Sequence, residues 1–221
     1  MAWVSQPIHF IDFEGGLGCG VLEYGVVTLR EGRIEAAQGR LCAPVGRIPT
    51  EDIAVHGLAP ADLAGAKPLA DDWEWFAGLR ADAPFAAHFA GVENGLIRSV
   101  WPTPRPSADF IAMGGRIADW GPWIDTARLY GEIRPQIASL GLESLVREMA
   151  LQSTLDAMAA TLCPDGRRHY HAARYDALAG ALLLAALALE PRCAGLSVGQ
   201  LLLLSTRDPA KRQAMVQPEL F

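Results

Sequence analysis

The chain has 221 residues, of which 51% are hydrophobic, and carries a formal net charge of −6. That length and apolar content suffice for a single core, so we expect one domain over residues 1–190 and a C-terminal extension over 191–221. The acidic balance excludes an indiscriminate grip on duplex nucleic acid by the whole surface, but leaves room for a local basic rim around an acidic site. Cys19, Cys42, Cys163 and Cys193 are scattered and form no CxxC pair. This excludes a zinc or disulfide framework and points to a reducing compartment. The first residues have neither a charged n-region nor a long apolar core, so no secretory leader is visible and a cytoplasmic location is expected. The longest apolar run, Ala177 to Leu189, is too short to span a bilayer, and no membrane partner is expected.

In chain order, the first predicted element is a strand from Ile8 to Gly16. Alternate side chains of a strand share a face, so Ile8, Phe10, Asp12 and Glu14 point the same way. An apolar face that ends in two carboxylates suffers repulsion and desolvation, which a divalent cation relieves; hard oxygen ligands suit Mg²⁺ or Mn²⁺. Taken alone, Asp-x-Glu also fits an ordinary strand running into a solvated acidic turn. Glycines at 15, 16, 18 and 20 precede a second strand over Val21 to Leu29, and Glu31-Gly32 turns the chain into a third from Arg33 to about Cys42. Pro44 to Pro49 reads as a loop, and Ala59-Pro60 as a helix start.

Leu69, Trp73, Phe76 and Leu79 recur near helical spacing, which suits Trp73 and Trp75 to core and helix surface. Pro84 to His88 is the short apolar run of a central strand covered on both faces. A helix over about Gly91 to Val100 carries Glu93 in its first turn, and the prolines of Trp101 to Pro106 end it. Trp123 to Thr126 reads as the last strand. Leu142, Leu145, Val146 and Met149 form one helical stripe. A long apolar helix over Ala172 to Leu189 stops at Glu190-Pro191, and Ser197-Val198-Gly199-Gln200 is a capping box for a short last helix. Strands first, then strands alternating with helices, predict a mixed α/β sheet flanked by helices.

Four pieces then line up: Asp12-x-Glu14, His88-(x4)-Glu93, Asp125-Thr126 and His171-(x4)-Asp176. Their order and spacing resemble the DEDDh 3′–5′ exonucleases, the superfamily of the bacterial proofreading subunit, ribonuclease T and oligoribonuclease. The likeness runs from about His9 to Leu189 and takes in the weaker His56-Gly57-Leu58 block. The resemblance implies a ribonuclease H-like fold with a five-stranded sheet, an antiparallel meander plus parallel strands. It also implies a two-metal Mg²⁺ or Mn²⁺ site held by Asp12, Glu14, Glu93 and Asp176, with His171 as general base. The family has aspartate where this chain has Glu93, and the extra methylene displaces that carboxylate by about an ångström.

Elementary chemistry agrees with that scheme. Paired cations stabilise the attacking and leaving oxygens of an in-line displacement at phosphorus, and a histidine of ordinary pKa accepts a proton near neutrality. Five helical residues turn through about 500°, so His171 belongs in the loop before the helix and Asp176 one turn inside it. His88 reads as a satisfied core or substrate-side histidine, Glu23 as a strand residue with a local partner, and Asp125-Thr126 as structural. Arg167, Arg168 and Arg174 fit either phosphate contacts or a solvated basic loop.

At the end of the chain, Gln217-x-x-Leu220-Phe221 resembles the short peptide by which bacterial replication and repair proteins bind the sliding clamp. Leu220 and Phe221 would fill a hydrophobic pocket with Gln217 at its rim; a frayed or folded-back terminus is the alternative. Three functions follow. They are an exonuclease acting on single-stranded or frayed DNA 3′ ends in proofreading or repair, an exoribonuclease acting on RNA ends, and a binding module that has lost activity through Glu93.

Overall fold

The strand that starts at Ile8 is the centre of the sheet. The computed structural model describes residues 2–112 and 114–206, together with residues 210 and 213. Gln217, Leu220 and Phe221, the residues of the expected clamp peptide, lie outside the described residues. β1 (Ile8–Gly16) pairs antiparallel with β2 (Gly20–Arg30), which pairs antiparallel with β3 (Arg33–Leu41). On its other side β1 runs parallel to β4 (Phe85–Ala87). A small hairpin of β5 (Ser107–Ala108) and β6 (Arg116–Ile117) follows, and β7 (Ile124–Asp125) returns to run parallel to β4. The result is a five-stranded mixed sheet of order β3-β2-β1-β4-β7, the ribonuclease H-like α/β arrangement expected from the sequence.

Helices cover both faces. They are α1 (Thr50–His56), α2 (Trp73–Asp82), α3 (Gly91–Val100), α4 (Thr126–Ile133), α5 (Leu142–Glu148), α6 (Gln152–Leu162), α7 (Ala173–Leu187) and α8 (Val198–Ser205). The alternation along β1 sorts them. Ile8 and Phe10 belong to a core with the buried residues of α4 to α8, whereas Ile11 and Phe13 belong to a second core with Phe76, Ile97, Trp101 and Trp120. Asp12 and Glu14 therefore continue the face that α7 covers. Among the described residues, no helix is long and apolar enough to cross a membrane.

The helix expected to start at Ala59-Pro60 is absent; residues 60–65 form turns. The helix lies earlier, as α1, with Glu51 and Asp52 in its first turn and Gly57 as a left-handed cap at φ 75°. The expected last strand shortens to two residues because Asp125 caps α4, its side chain accepting from the Arg128 N–H. Ser197 and Gln200 form the expected capping box at α8. The hairpin is tied down by Arg80, which is fully buried and donates to Ser107 Oγ and to the carbonyls of Trp120 and Gly121.

The seat of α7 on the sheet requires glycine twice. A Cβ on Gly180 would lie 2.1 Å from Phe10 Cζ, and one on Gly25 would lie 2.3 Å from the Ala173 carbonyl oxygen. The second obstacle is backbone at the start of α7, so no side-chain rotation relieves it. We therefore expect Gly25→Ala to destabilise the protein by about 1–3 kcal/mol, as overpacking does, by lifting the start of α7 from β2. A chemical-denaturation midpoint equal to that of the parent protein would contradict this close seating.

Candidate active site

Four elements deliver the side chains. Asp12 and Glu14 lie at the C-terminal end of β1, where the pairing with β2 shifts register between Glu14 and Gly15. Glu93 projects from the first turn of α3, and its Oε2 accepts a hydrogen bond from the Phe13 backbone N–H at 3.0 Å. The longer side chain thus reaches across to β1 and bonds the peptide between the two β1 carboxylates. Asp176 sits in the first turn of α7, with Oδ2 accepting from the His171 backbone N–H at 2.9 Å. His171 is exposed, stands just before Ala172, the cap of α7, and has a left-handed backbone at φ 63°. Non-glycine residues rarely adopt that conformation, and it recurs at functional sites.

Glu14, His171 and Asp176 each offer one ligand atom, and these atoms all lie within 4.8 Å of one another. Asp12 and Glu93 stand outside that trio but within its electrostatic reach. Burial, followed by the charges of Glu93, Asp176 and Glu14, holds the Asp12 carboxyl well above the usual carboxylate range. Burial pushes Glu14 up to about 8, with Asp176 and Glu23 adding to the effect. It raises Glu93 to about 8 against the opposing pull of the Phe13 N–H. Asp176 rises to about 7 through burial, opposed by the His171 N–H and the Arg167 charge.

A divalent cation fits this donor set. Asp12 Oδ2 and Asp176 Oδ1 are enclosed atoms with no hydrogen-bond partner, and buried carboxylate oxygens without a donor are costly. Hard oxygen ligands gathered at one point, with one imidazole beside them, suit Mg²⁺ or Mn²⁺.

Other residues have different roles. His88 is buried, with Nδ1 2.9 Å from Thr126 Oγ1 and Nε2 2.8 Å from the Leu140 carbonyl, as befits a satisfied core histidine. Asp125 accepts from the Ala90 N–H at the start of α3 as well as from Arg128. Of the arginines that fit phosphate contacts or a solvated basic loop, Arg167 and Arg174 are engaged by the protein, whereas Arg168 stays exposed. Arg168 pairs with Asp165 and donates to the Ala160 and Cys163 carbonyls. Arg174 donates to the carbonyls of Gly39 and Leu162. Arg167 forms an ion pair with Glu23, which is buried and lies directly opposite Glu14 on β2. Sequence reasoning missed that pair. The available signal was register, because like charges facing each other across a ladder call for a counter-ion.

No protein-family model and no curated protein matches the sequence. Solved structures do. Exonuclease X in complex with 5′-overhanging duplex DNA superposes with a TM-score of 0.62 at 22% identity, over 88% of this chain and 99% of that one. The nuclease domain of 3′hExo, a DEDDh family member bound to rAMP, gives 0.61 at 13% identity, over 89% and 98%. Exonuclease I from E. coli in complex with a dT13 oligonucleotide gives 0.58 at 12% identity, over 85% of this chain and 42% of that one. At these identities the likeness establishes a shared fold. The chain is thus a ribonuclease H-like α/β protein with an acidic cluster suited to a metal ion.

The raised carboxylates fix a pH dependence. A carboxyl whose folded pKa exceeds its unfolded value stabilises the fold below the unfolded value, and that contribution is lost as pH rises through the folded one. With chelator present, the melting temperature should therefore fall between about pH 4.5, the ordinary value for glutamate, and about pH 8, where Glu14 and Glu93 titrate. Mn²⁺ should restore more stability at pH 8 than at pH 6. Thermal melts across that range check both signs; a metal increment independent of pH would oppose the reading.

Proposed function

We propose that residues 1–190 form a metal-dependent 3′–5′ exonuclease that removes nucleotides from single-stranded or frayed DNA 3′ ends, in proofreading or repair. The observation that carries this is the meeting of Glu14 with His171 and Asp176 from distant parts of the chain, with Asp12 and Glu93 within electrostatic reach and two carboxylate oxygens enclosed and unpartnered. In this reading Asp12, Glu14, Glu93 and Asp176 hold two Mg²⁺ or Mn²⁺ ions, which when bound stabilise charge on the attacking and leaving oxygens at phosphorus. His171 accepts a proton from the attacking water. The new P–O bond forms as the bond from phosphorus to the penultimate O3′ breaks, and a 5′-mononucleotide leaves. His171 suits that role because it is exposed on a loop while its backbone N–H is fixed to Asp176. The shared fold of exonuclease X, described with duplex DNA, favours DNA. The rAMP-bound 3′hExo domain supports the second reading, RNA ends.

Digestion of 3′-labelled single-stranded DNA and RNA with Mg²⁺, Mn²⁺ or chelator tests the proposal. We expect stepwise loss from the 3′ end of DNA, with Mn²⁺ at least as effective as Mg²⁺ because it tolerates irregular carboxylate geometry. Faster loss from RNA selects the second reading; binding without cleavage, or cleavage that begins internally, rejects both. His171→Ala should lower kcat by about 10²–10⁴-fold with little change in KM, as for a group that acts in the transition state. Glu93→Asp should retain cleavage but lose the Phe13 hydrogen bond, at about 1 kcal/mol of stability. We further propose that Gln217, Leu220 and Phe221 tether the enzyme to a bacterial sliding clamp. Alanine at both Leu220 and Phe221 should then abolish clamp binding and spare cleavage of short substrates; a lowered melting temperature with clamp affinity intact would reject the tether.

A further inference from the structure

Glu23 is a fifth carboxylate beside the cluster, and its surroundings differ from those of the other four. It lies on β2 directly opposite Glu14, and its side chain is 6% exposed. Its Oε2 accepts from the Ala173 backbone N–H at 3.1 Å and from Arg167 Nη2, while Oε1 faces Arg167 Nε at 3.4 Å. Its oxygens are thus engaged by donors, in contrast to the unpartnered oxygens of Asp12 and Asp176.

Arg167 does more than neutralise Glu23. Its Nη1 donates to the His56 carbonyl at 2.7 Å, at the end of α1, and its Nη2 donates to the His171 carbonyl at 3.1 Å. One guanidinium therefore joins three segments that are far apart in sequence: β2, the end of α1 and the loop before α7. His171 is held at both of its flanking peptide groups, since its N–H goes to Asp176 and its carbonyl to Arg167. Its left-handed backbone is costly for a residue with a Cβ, so the conformation persists only where neighbours over-determine it.

We infer that Arg167, braced by Glu23, is a positioning residue that fixes the loop presenting the His171 imidazole, and that it is not a phosphate-binding residue. The inference deepens the exonuclease reading and rests on it for the role of His171. A rigid five-donor fork is needed, because a lysine ammonium can keep the charge but cannot span a carboxylate and two carbonyls in these directions. Side-chain exposure of 16% for Arg167 also leaves little of it for a ligand.

The test compares Arg167→Lys, Arg167→Gln and Glu23→Gln with Arg168→Gln as the neighbouring control. Steady-state kinetics on 3′-labelled single-stranded DNA with Mn²⁺ is paired with NMR of the histidine ring resonances. We expect Arg167→Lys and Arg167→Gln to lower kcat about tenfold or more while KM stays within about twofold, since small misplacement of a catalytic group is enough for such losses. Glu23→Gln should fall in the same direction, and Arg168→Gln should match the parent protein. The His171 ring signals should shift or broaden in the Arg167 variants. Retained turnover in Arg167→Lys, or a raised and salt-dependent KM with kcat unchanged in Arg167→Gln, would overturn the inference in favour of a phosphate contact. If Arg167→Gln does not fold, Arg167→Lys and Glu23→Gln carry the same comparison. If the parent protein cleaves no 3′ end, the exonuclease reading fails by itself. The ring signals then decide the positioning role of Arg167, and a His171 spectrum unchanged in Arg167→Lys refutes it.

Discussion

Repulsion among carboxylates is the constraint around which this molecule is built. Burial raises the proton affinity of Asp12, Glu14, Glu93 and Asp176, and the charges of neighbouring carboxylates raise it further. Two like charges about 4 Å apart repel by about 4 kcal/mol even at an effective dielectric of 20, so such a group does not assemble by itself. The protein offsets the repulsion with individual donors. The Phe13 N–H serves Glu93, the His171 N–H serves Asp176, and Arg167 with the Ala173 N–H serves Glu23. What remains unmatched, one oxygen of Asp12 and one of Asp176, is where a cation has most to contribute.

The force that holds the charges together comes from the apolar part of the same elements. β1 contributes Ile8 and Phe10 to one core and Ile11 and Phe13 to the other, so its carboxylate end cannot retreat without unpacking both. α7 is buried along nearly its whole length and meets β2 without an intervening side chain at Gly25. Asp176 is therefore placed by helix-on-sheet packing rather than by its own hydrogen bonds. His171, with its left-handed backbone, sits where that packing gives way to the loop before α7.

Much of this is legible in the amino-acid sequence. Period-two alternation in Ile8 to Glu14 put Asp12 and Glu14 on one face, and the unbroken apolar run after Asp176 marked a covered helix. Five residues of helical rotation separate His171 from Asp176, which puts His171 outside that helix, where it lies. What escaped was tertiary in origin. β5 and β6 exist because buried Arg80 binds the carbonyls and hydroxyl around them, and two-residue strands carry no periodic signal. Ala59-Pro60 has the local form of a helix start, but the stronger signals were the acidic residues after Thr50 and the glycine at 57. Arg167 reads as a phosphate contact or a solvated charge because its partners, Glu23 and His56, lie more than a hundred positions away.

That separation bears on how the protein is made. A chain leaving the ribosome presents Asp12, Glu14, Glu23 and Glu93 well before Arg167, His171 and Asp176 exist, and β1 and β2 can pair as a hairpin in the meantime. Until α7 arrives, the acidic strand ends have neither their guanidinium counter-ion nor the imidazole, and the apolar face of Ile8, Phe10, Val27 and Leu29 lacks its cover. Assembly waits on contacts of long sequence separation, which form slowly. The nascent protein thus passes through a stage with an exposed sheet and an incomplete site. The acidic cluster is complete only once the last long helix, α7, is in place.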